Sequence, residues 1–412
     1  MIDGFERTEL PGGLVVLTET MPGIRSASLG VWVRAGSVTE KPEEMGISHL
    51  LEHMVFKGTH RRSAKDLAVV LERLGGSLDA YTTREHTSFQ ARVLDTDIDV
   101  ALDVLGDLVL EPVLRSADLD LEREVVLEEI ATVEDTPDDL VFDLHAEQMW
   151  GGHPYGYSIL GTRDTVSAFT AHDLQRVHRE RYHRGNMVIA GAGNIEHARF
   201  VEQVGRVFNA GRPDTAPAAN GHRPAAAGPT RELVSRASAQ THIVWGAPTF
   251  GQGDPRRFAL VLLSNAFGGG MSSRLFQRVR EELGLAYAVY AYQSFYADAG
   301  VSGVYVGTRP ESADRAEAVV SEEMAKLAAD GITQEELDDV KGQVKGQIVL
   351  SLESSNARLH RLAGTELYNE PFRSMDEITA LVDAVTVDEV AALAAGIFPP
   401  ERQSILRLGP TH

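Results

Sequence analysis

The chain contains no cysteine among its 412 residues. This absence excludes disulfide bonds, thiol nucleophiles and cysteine-type zinc sites, so any metal must be held by histidine and carboxylate side chains. No apolar run reaches the roughly 18 to 20 residues that span a bilayer. The N-terminal segment MIDGFERTEL also lacks the basic and apolar regions of a signal or transit peptide. We therefore expect a cytoplasmic protein with no membrane partner.

Basic residues are scarce. The chain has 39 lysines and arginines against 60 acidic residues, a net charge of -21. Binding to nucleic acid requires a basic footprint, so we expect no nucleic-acid partner. The hydrophobic fraction of 43% and the charged fraction of 24% are typical of a soluble globular protein. The length allows two or three domains, each with its own core.

The clearest break along the chain is the segment 209–230, NAGRPDTAPAANGHRPAAAGPT. It has four prolines and no apolar periodicity, which is typical of an exposed linker. We predict an N-terminal domain at 1–208, a linker at 209–230 and a C-terminal domain at 231–412.

The two halves repeat the same order of predicted elements. In the first half the pattern predicts a strand at 26–35, helices near 46–57 and 63–74, strands through 79–93, and helices near 97–110 and 117–134. In the second half it predicts a strand at 241–247, helices near 255–267 and 272–283, two strands, and helices near 311–329 and 333–363. The repetition predicts an α+β fold, with two homologous α/β-sandwich domains from an internal duplication. Each domain would be a mostly antiparallel sheet covered by helices.

The segment HLLEH carries the first chemical signal. His49 and His53 are four residues apart, so on a helix they share one face about 6 Å from each other and can share one ion. Zinc accepts imidazole nitrogens, and a catalytic zinc keeps one position open for water. Glu52 would then act as general base without being a ligand. The five-letter pattern also arises by chance, and the alternative is an ordinary helix with solvated histidines.

The rest of this helix is apolar, so its polar side chains need partners, because unpaired buried polar groups are costly. A later helical segment, LDLEREVVLEEI, offers carboxylates at Glu122, Glu124, Glu128 and Glu129. Glu122 and Glu129 are seven apart and face the same way, so one can ligate a metal while the other supports the site. Spacing alone does not decide between Glu128 and Glu129 as the ligand.

The motifs GISHLLEHMVFKGT, LGGSLDAYTTREHTSF and EREVVLEEI, in this order, resemble those of the pitrilysin/insulysin family of inverted-motif zinc metallopeptidases. The resemblance covers essentially the whole chain. It is strongest to the short two-domain members similar to the β subunit of the mitochondrial processing peptidase. It implies that His49, His53 and Glu129 hold one Zn²⁺ per chain. It further implies that Glu52 activates water and that Glu122 supports the site.

The resemblance also implies roles outside this site. Arg280 and Tyr287, seven residues apart after a glycine-rich segment, would help to hold the substrate carbonyl, since donors aimed at a developing oxyanion contribute several kcal/mol. Without the resemblance, they would be an ordinary surface residue and an ordinary strand residue. A predicted strand would be a sheet edge to which a peptide adds by main-chain pairing. Its residues are Asp79, Ala80, Tyr81 and Thr82, where the family usually has Asn at the first position.

The function implied is that of a zinc-dependent endopeptidase acting on peptides or unfolded segments in an enclosed chamber. The resemblance implies that such a site uses four domains, of which this chain would supply two. We therefore expect a homodimer completed by the partner's Arg280 and Tyr287, with a heterodimer of related subunits as the alternative. The alternative hypothesis is that the chain is a non-catalytic or partner-dependent binding or scaffold subunit of the same family. Such members typically lose a ligand, whereas His49, His53 and Glu129 are all present here.

Other motifs favour structural roles. Gly191 and Gly193 follow an apolar run, but no third glycine completes a dinucleotide fingerprint, so a tight turn after a strand is predicted. His153 is expected to be structural, since three protein ligands suffice for a catalytic zinc. When the two halves are roughly aligned, the region around FGGGM corresponds to HLLEH, and the region around Gln347 corresponds to Glu129. We therefore expect no metal in the second half.

Overall fold

A computed structural model describes residues 4–208, 224 and 227–410 of the chain. Most of the predicted linker at 209–230 therefore lies outside the described residues. The described elements comprise strands β1 to β11 and helices α1 to α14. The strands are Phe5–Leu10, Leu14–Thr20, Ser26–Val33, Ser77–Thr82, Thr87–Leu94, Met187–Gly193, Arg231–Ser235, Thr241–Thr249, Ala286–Phe295, Gly300–Thr308 and Ser404–Gly409. The helices are Ile47–Val55, Ala64–Glu72, Ile98–Leu110, Ser116–Glu134, Pro137–Trp150, Arg163–Ala168, Ala171–Arg181, His197–Phe208, Arg257–Gly268, Ala313–Asp330, Gln334–Ser351, Ser355–Leu367, Met375–Ala384 and Val387–Ile397.

The strands form two sheets with the same topology. The first sheet has six strands in the order β1-β2-β6-β3-β5-β4, and the second has five in the order β7-β11-β8-β10-β9. Neighbours are antiparallel except for the pairs β2–β6 and β7–β11, which are parallel. With β1 set aside, the second sheet repeats the first strand by strand. The predicted α+β class with mostly antiparallel sheets is confirmed, and the repeated order is what a duplication predicts.

The chain folds into two compact units, and neither unit is a continuous half of the sequence. The first unit contains the described parts of Met1–Ile130, Ser158–Gly221 and Ser351–Phe372. The second contains the described parts of Ala131–Tyr157, His222–Leu350 and Arg373–His412. The predicted domain boundaries therefore need correction, because each half of the sequence contributes one helical segment to the other unit.

Apolar burial explains this exchange. Helix α12 packs on β2, β3 and β6 of the first sheet, where its Leu359 and Leu362 are buried against Leu17, Trp32 and Val188. Helix α5 packs on β8 and β11 of the second sheet. Full burial of a leucine side chain contributes about 1.5–3 kcal/mol, so a sheet face left bare would be costly.

The single helix predicted over 333–363 is wrong, because the chain breaks between α11 and α12. Ser354 has an extended backbone, with φ -84° and ψ 130°, and precedes the first residue of α12. The predicted helix at 272–283 is also only partly regular, since Phe276–Glu282 forms a π-helical turn. Apolar periodicity does not report these local changes of backbone geometry. None of the described helices combines the length and the apolar character that crossing a membrane requires.

Helix α1 lies in the core of the first unit. Its apolar residues Ile47, Leu50, Leu51, Met54 and Val55 are fully buried. They belong to the same core as residues of β3, β5 and α3. The helix is therefore held by packing along most of its length, which gives the polar residues on its remaining face fixed positions.

A buried carboxylate on α3 fixes the segment that follows α1. Asp107 is 2% exposed and accepts hydrogen bonds from Thr59 Oγ1 at 2.8 Å, from Arg61 Nε at 3.0 Å and from Arg62 Nη1 at 2.6 Å. The neighbouring Asp103 contacts the same two arginines from a side chain that is 38% exposed.

Asp107→Ala is expected to lower the free energy of unfolding by about 3 kcal/mol, because it removes the buried acceptor of three hydrogen bonds and leaves the buried Thr59 hydroxyl without its acceptor. Asp103→Ala is the matched control, and its cost should be about 1 kcal/mol or less because this carboxylate is partly open to solvent. Denaturant unfolding of both variants measures the difference. Equal losses for the two would contradict the role assigned to Asp107.

Candidate metal centre

Three potential metal ligands meet in the first unit, and we call them the metal cluster: His49 and His53 of α1 and Glu129 of α4. The two imidazole ring centroids are 4.6 Å apart. Glu129 Oε2 lies 3.7 Å from His49 Nε2 and 3.8 Å from His53 Nε2. One ligand atom from each residue falls within 4.8 Å of the other two. Within the described parts of the chain, no other group of three such side chains converges in this way.

The spacing of the metal cluster fits a shared zinc ion better than direct hydrogen bonding. Separations of 3.7 and 3.8 Å are longer than a hydrogen bond. Tetrahedral zinc with bonds of 2.0–2.1 Å would separate two ligand atoms by about 3.4 Å, which is close to both of these separations. Burial, with a smaller effect from His53, lowers the pKa of His49 to about 3. His49 is therefore neutral near pH 7, which is the form that binds a metal.

Glu122 orients the second histidine. Its Oε1 lies 3.0 Å from His53 Nδ1, and its Oε2 contacts Lys57 Nζ. If Nδ1 carries the proton and donates it to Glu122, the lone pair of Nε2 faces the cluster. Glu122 is 5% exposed, and Lys57 balances its charge. The sequence prediction included Glu122 but missed Lys57, although its place four residues after His53 was a usable signal.

The structure decides between the two candidate glutamates on α4. Glu129 points to the histidines, whereas Glu128 is exposed and does not belong to the metal cluster. Adjacent residues on a helix are turned by about 100° from each other, so α4 presents only one of them to α1.

Glu52 lies beside the metal cluster on the same helix and is 9% exposed. Its Oε2 accepts a hydrogen bond from Thr82 Oγ1 at 2.8 Å. Burial raises the pKa of the Glu52 carboxyl, and the hydrogen bond from Thr82 is the largest effect opposing that rise. The sequence prediction assigned Thr82 to substrate binding and missed this contact, which joins segments 30 residues apart.

The predicted substrate strand is β4, and it is the last strand of its sheet. Successive side chains of β4 face opposite sides of the sheet. Ala80 packs against the core that contains α1, whereas the hydroxyl of Tyr81 lies 3.2 Å from His360 Nδ1 of α12. Asp79 is exposed. The structure thus provides the edge that the prediction requires, and the contact of Asp79, Ala80, Tyr81 and Thr82 with a substrate stays a prediction.

A buried glutamate holds the start of α1. Glu40 Oε2 accepts from the Gly46 N–H at 2.9 Å, and Oε1 accepts from the Ser48 N–H at 2.8 Å. These are two of the N–H groups that a helix start leaves unpaired. Burial raises the pKa of Glu40, and the two backbone bonds oppose the rise. Gly46 has φ +89°, and a Cβ there would lie 2.5 Å from the Leu160 carbonyl oxygen, so glycine is required. Sequence reasoning missed Glu40, because no helix pattern links it to α1.

Arg280 and Tyr287 lie together in the second unit. Arg280 Nη1 donates to the Tyr287 carbonyl oxygen at 3.1 Å, and its guanidinium lies 4.3 Å from the Tyr287 ring centroid and 4.7 Å from that of Phe276. Tyr287 is 78% exposed. The structure therefore pairs the two residues named from sequence, and their contact with a substrate stays a prediction.

Two further motifs have structural positions. His153 Nδ1 accepts a hydrogen bond from the Tyr155 N–H at 3.1 Å and so caps a short turn. Gly193 ends β6 with φ +135°, and a Cβ there would lie 2.3 Å from the Ser26 carbonyl oxygen. Both observations fit the roles predicted from the sequence, a structural histidine and a glycine turn after a strand.

The chain matches the family model described as insulinase (peptidase family M16) over residues 15–163, and the model described as the peptidase M16 inactive domain over residues 168–344. The chain belongs to peptidase family M16. The first match contains the metal cluster and Glu52. The second lies mainly in the other unit, where the described residues form no comparable cluster.

Several bacterial relatives of this M16 chain are named uncharacterized zinc proteases. The one from Streptomyces coelicolor is 42% identical over 99% of this chain and 90% of its own length. The one from Mycobacterium tuberculosis strain H37Rv is 41% identical over 98% of this chain and 93% of its own length. The one from Bacillus subtilis is 38% identical over 96% of each chain.

Two solved structures share the fold of the M16 chain. A protease from Helicobacter pylori has a TM-score of 0.93 with 21% identity, covering 100% of both chains. A structure described as a peptidase M16 inactive domain from Pseudomonas fluorescens has a TM-score of 0.92 with 23% identity, covering 99% of this chain and 98% of the other. At these identities the likeness concerns the fold alone.

Glu122→Gln is expected to weaken zinc binding by roughly 10- to 100-fold, the usual effect of losing a carboxylate that orients a ligating histidine. Competition with a chromophoric chelator measures the dissociation constant. Glu124→Gln makes the same chemical change at an exposed position of α4 and should leave the constant unchanged. Equal affinities for the two variants would argue against the contact between Glu122 and His53.

Proposed function

We propose that this M16 protein is a zinc-dependent endopeptidase that hydrolyses peptides or unfolded polypeptide segments, with one zinc ion per chain and the cytoplasm as its location. The observation that carries the proposal is the convergence of His49, His53 and Glu129 beside a buried, hydrogen-bonded Glu52. The names of the relatives, which call them zinc proteases, support the same conclusion.

The residues of this site suit peptide hydrolysis. Bound zinc would supply a Lewis acid that polarises the substrate carbonyl and makes water acidic near pH 7. Glu52 is placed to accept a proton from the attacking water and to return it to the leaving amine. Glu122 holds His53 in the orientation that binding requires. Arg280 and Tyr287 are proposed to donate hydrogen bonds to the oxyanion as it forms.

The edge strand β4 suggests how a peptide binds. Its partner on one side is β5, and the opposite edge is the end of the sheet. A peptide that adds there pairs through its main chain, so affinity depends little on its sequence. Pairing of this kind requires an extended segment. We therefore expect unfolded polypeptides to be cleaved and folded proteins to resist, as an enclosed chamber also implies.

Metal analysis combined with a mixed peptide library tests the proposal. The purified chain should contain about one zinc per chain and cleave library peptides, and a chelator should abolish cleavage until zinc is restored. Bound zinc without any cleavage would overturn the proposal. It would favour the alternative, a binding subunit that is inactive or depends on a different chain.

We also propose a homodimer in which Arg280 and Tyr287 of the partner subunit complete each site. Subunits carrying Glu52→Gln and subunits carrying Arg280→Ala would each be inactive as homodimers. Mixed dimers should recover activity, because one of their two sites would be intact. The measurement is peptide cleavage by heterodimers purified with two different affinity tags. If verified heterodimers show no recovery, the pair acts within its own chain.

A further inference from the structure

The hydroxyl of Thr82 donates its hydrogen bond to the Glu52 carboxylate. Among the described residues, Thr82 is the one that hydrogen-bonds to this carboxylate, and the O–O distance is 2.8 Å. A second hydroxyl, that of Thr87, lies 3.5 Å from Thr82 Oγ1. Thr87 Oγ1 donates its own proton to the Ala35 carbonyl oxygen at 2.8 Å. The proton of Thr82 therefore points to Glu52, since a short bond to a carboxylate is favoured over a long one to a hydroxyl.

The position of Thr82 in the sheet matters as much as its hydrogen bond. It is the last residue of β4, the edge strand. Strand side chains alternate between faces, so Thr82 shares the side of Ala80, whose neighbours belong to the core that contains α1. The Thr82 side chain thus faces α1, and only its main chain lies along the edge at which a peptide would pair.

A general base needs an orienting partner. The terminal torsion of a glutamate is broad, so the carboxylate plane is free to turn unless one oxygen is held. A shift of about 1 Å in a catalytic group costs on the order of 100-fold in rate. With Oε2 of Glu52 held by Thr82, Oε1 is the oxygen left to accept a proton.

We propose that Thr82 is a positioning residue for the general base, and that it links the base to the strand on which the peptide pairs. The inference rests on the proposed function and deepens it. In this proposal the Thr82 side chain orients the Glu52 carboxylate and does not contact the substrate. One residue thereby sets both the end of the peptide-pairing edge and the orientation of the carboxylate.

Two substitutions at Thr82 test the role. Thr82→Val keeps the shape and removes the donor, and kcat should fall roughly 10- to 100-fold while KM and zinc content stay unchanged. Thr82→Ser restores the donor and should bring kcat back to within about threefold of the wild type, since hydroxyls donate alike. Thr20→Val is the matched control. It removes a hydroxyl that donates to the Ile195 carbonyl oxygen at 2.8 Å in the same sheet, and kcat should not change.

A binding measurement separates positioning from substrate contact without relying on turnover. The background is Glu52→Ala, which leaves Thr82 no carboxylate to hold. The probe is a fluorescently labelled peptide that the wild-type chain cleaves, and fluorescence anisotropy gives its dissociation constant. Adding Thr82→Val should leave this constant unchanged. A weakening of fivefold or more would show that the Thr82 side chain contacts the peptide and would overturn the inference.

The outcomes distinguish this inference from the proposed function. If the wild-type chain shows no zinc-dependent cleavage, the proposed function fails and the inference fails with it. If the wild type is active and Thr82→Val keeps the same kcat, only the inference is overturned. Equal losses for Thr82→Val and Thr82→Ser, or a loss confined to KM, would also overturn it alone.

Discussion

Glu52→Gln is expected to lower kcat for peptide cleavage by roughly 100- to 10,000-fold, the contribution typical of a general base. Glutamine has nearly the same shape and can still accept the hydrogen bond that Thr82 donates to Glu52 Oε2. It cannot take a proton from water. The variant should therefore keep its zinc, its thermal midpoint and its affinity for peptides, so that the loss appears in kcat alone.

Single-turnover cleavage with zinc analysis of the same preparation measures this effect. Glu72→Gln, at an exposed end of α2, makes the same chemical change away from the metal cluster and should cleave like the wild type. Retention of more than about a tenth of the wild-type kcat by Glu52→Gln would assign the base to another group. Loss of zinc from the variant would instead show that Glu52 acts as a ligand.

Glu129→Gln is expected to weaken zinc binding by more than about 100-fold, beyond the loss seen when only a ligand-orienting group is removed. An amide oxygen carries no full charge and binds zinc poorly compared with a carboxylate. Glu128→Gln is the matched control one residue away and should bind zinc like the wild type. Zinc content after dialysis against a chelator compares the two directly.

Thermal unfolding gives an independent readout of the same substitution. A ligand that binds only the folded state stabilises it by about 2.7 kcal/mol at 100 times its dissociation constant. Added zinc should therefore raise the midpoint of the wild type and of Glu128→Gln, and leave that of Glu129→Gln almost unchanged. The reverse pattern would make Glu128 the ligand and contradict the geometry of the metal cluster.

The metal cluster depends on segments that are distant in the chain. Glu40 holds the first turn of α1 through two backbone hydrogen bonds. Glu122, on α4, contacts His53 near the other end of that helix. Thr82, from the edge strand, fixes Glu52 between them. Two carboxylates and one hydroxyl, from a loop, from α4 and from β4, thus hold the first turn of one short helix and two of its polar side chains.

Local sequence patterns were enough to predict the shared face of the two histidines, the positions of several helices and strands, and the family. The spacing of His49 and His53 places them on one face, because the helical repeat is a property of the helix alone. Alternating and periodic apolar residues located β3, α1, α3 and α4 within a few residues of their observed ends. The sequence motifs also indicated the family, and the family matches confirm it.

Only the tertiary structure decided which distant groups meet. It selected Glu129 over Glu128, because that choice depends on how α4 is rotated against α1. It brought the Thr82 hydroxyl to Glu52 and separated α11 from α12. It also assigned residues 131–157 to the second unit and residues 351–372 to the first, unlike the segments that flank them in the chain. The physical reason is common to all of these. Periodicity states which face of an element is apolar, whereas the partner of that face is set by packing between segments far apart in the chain.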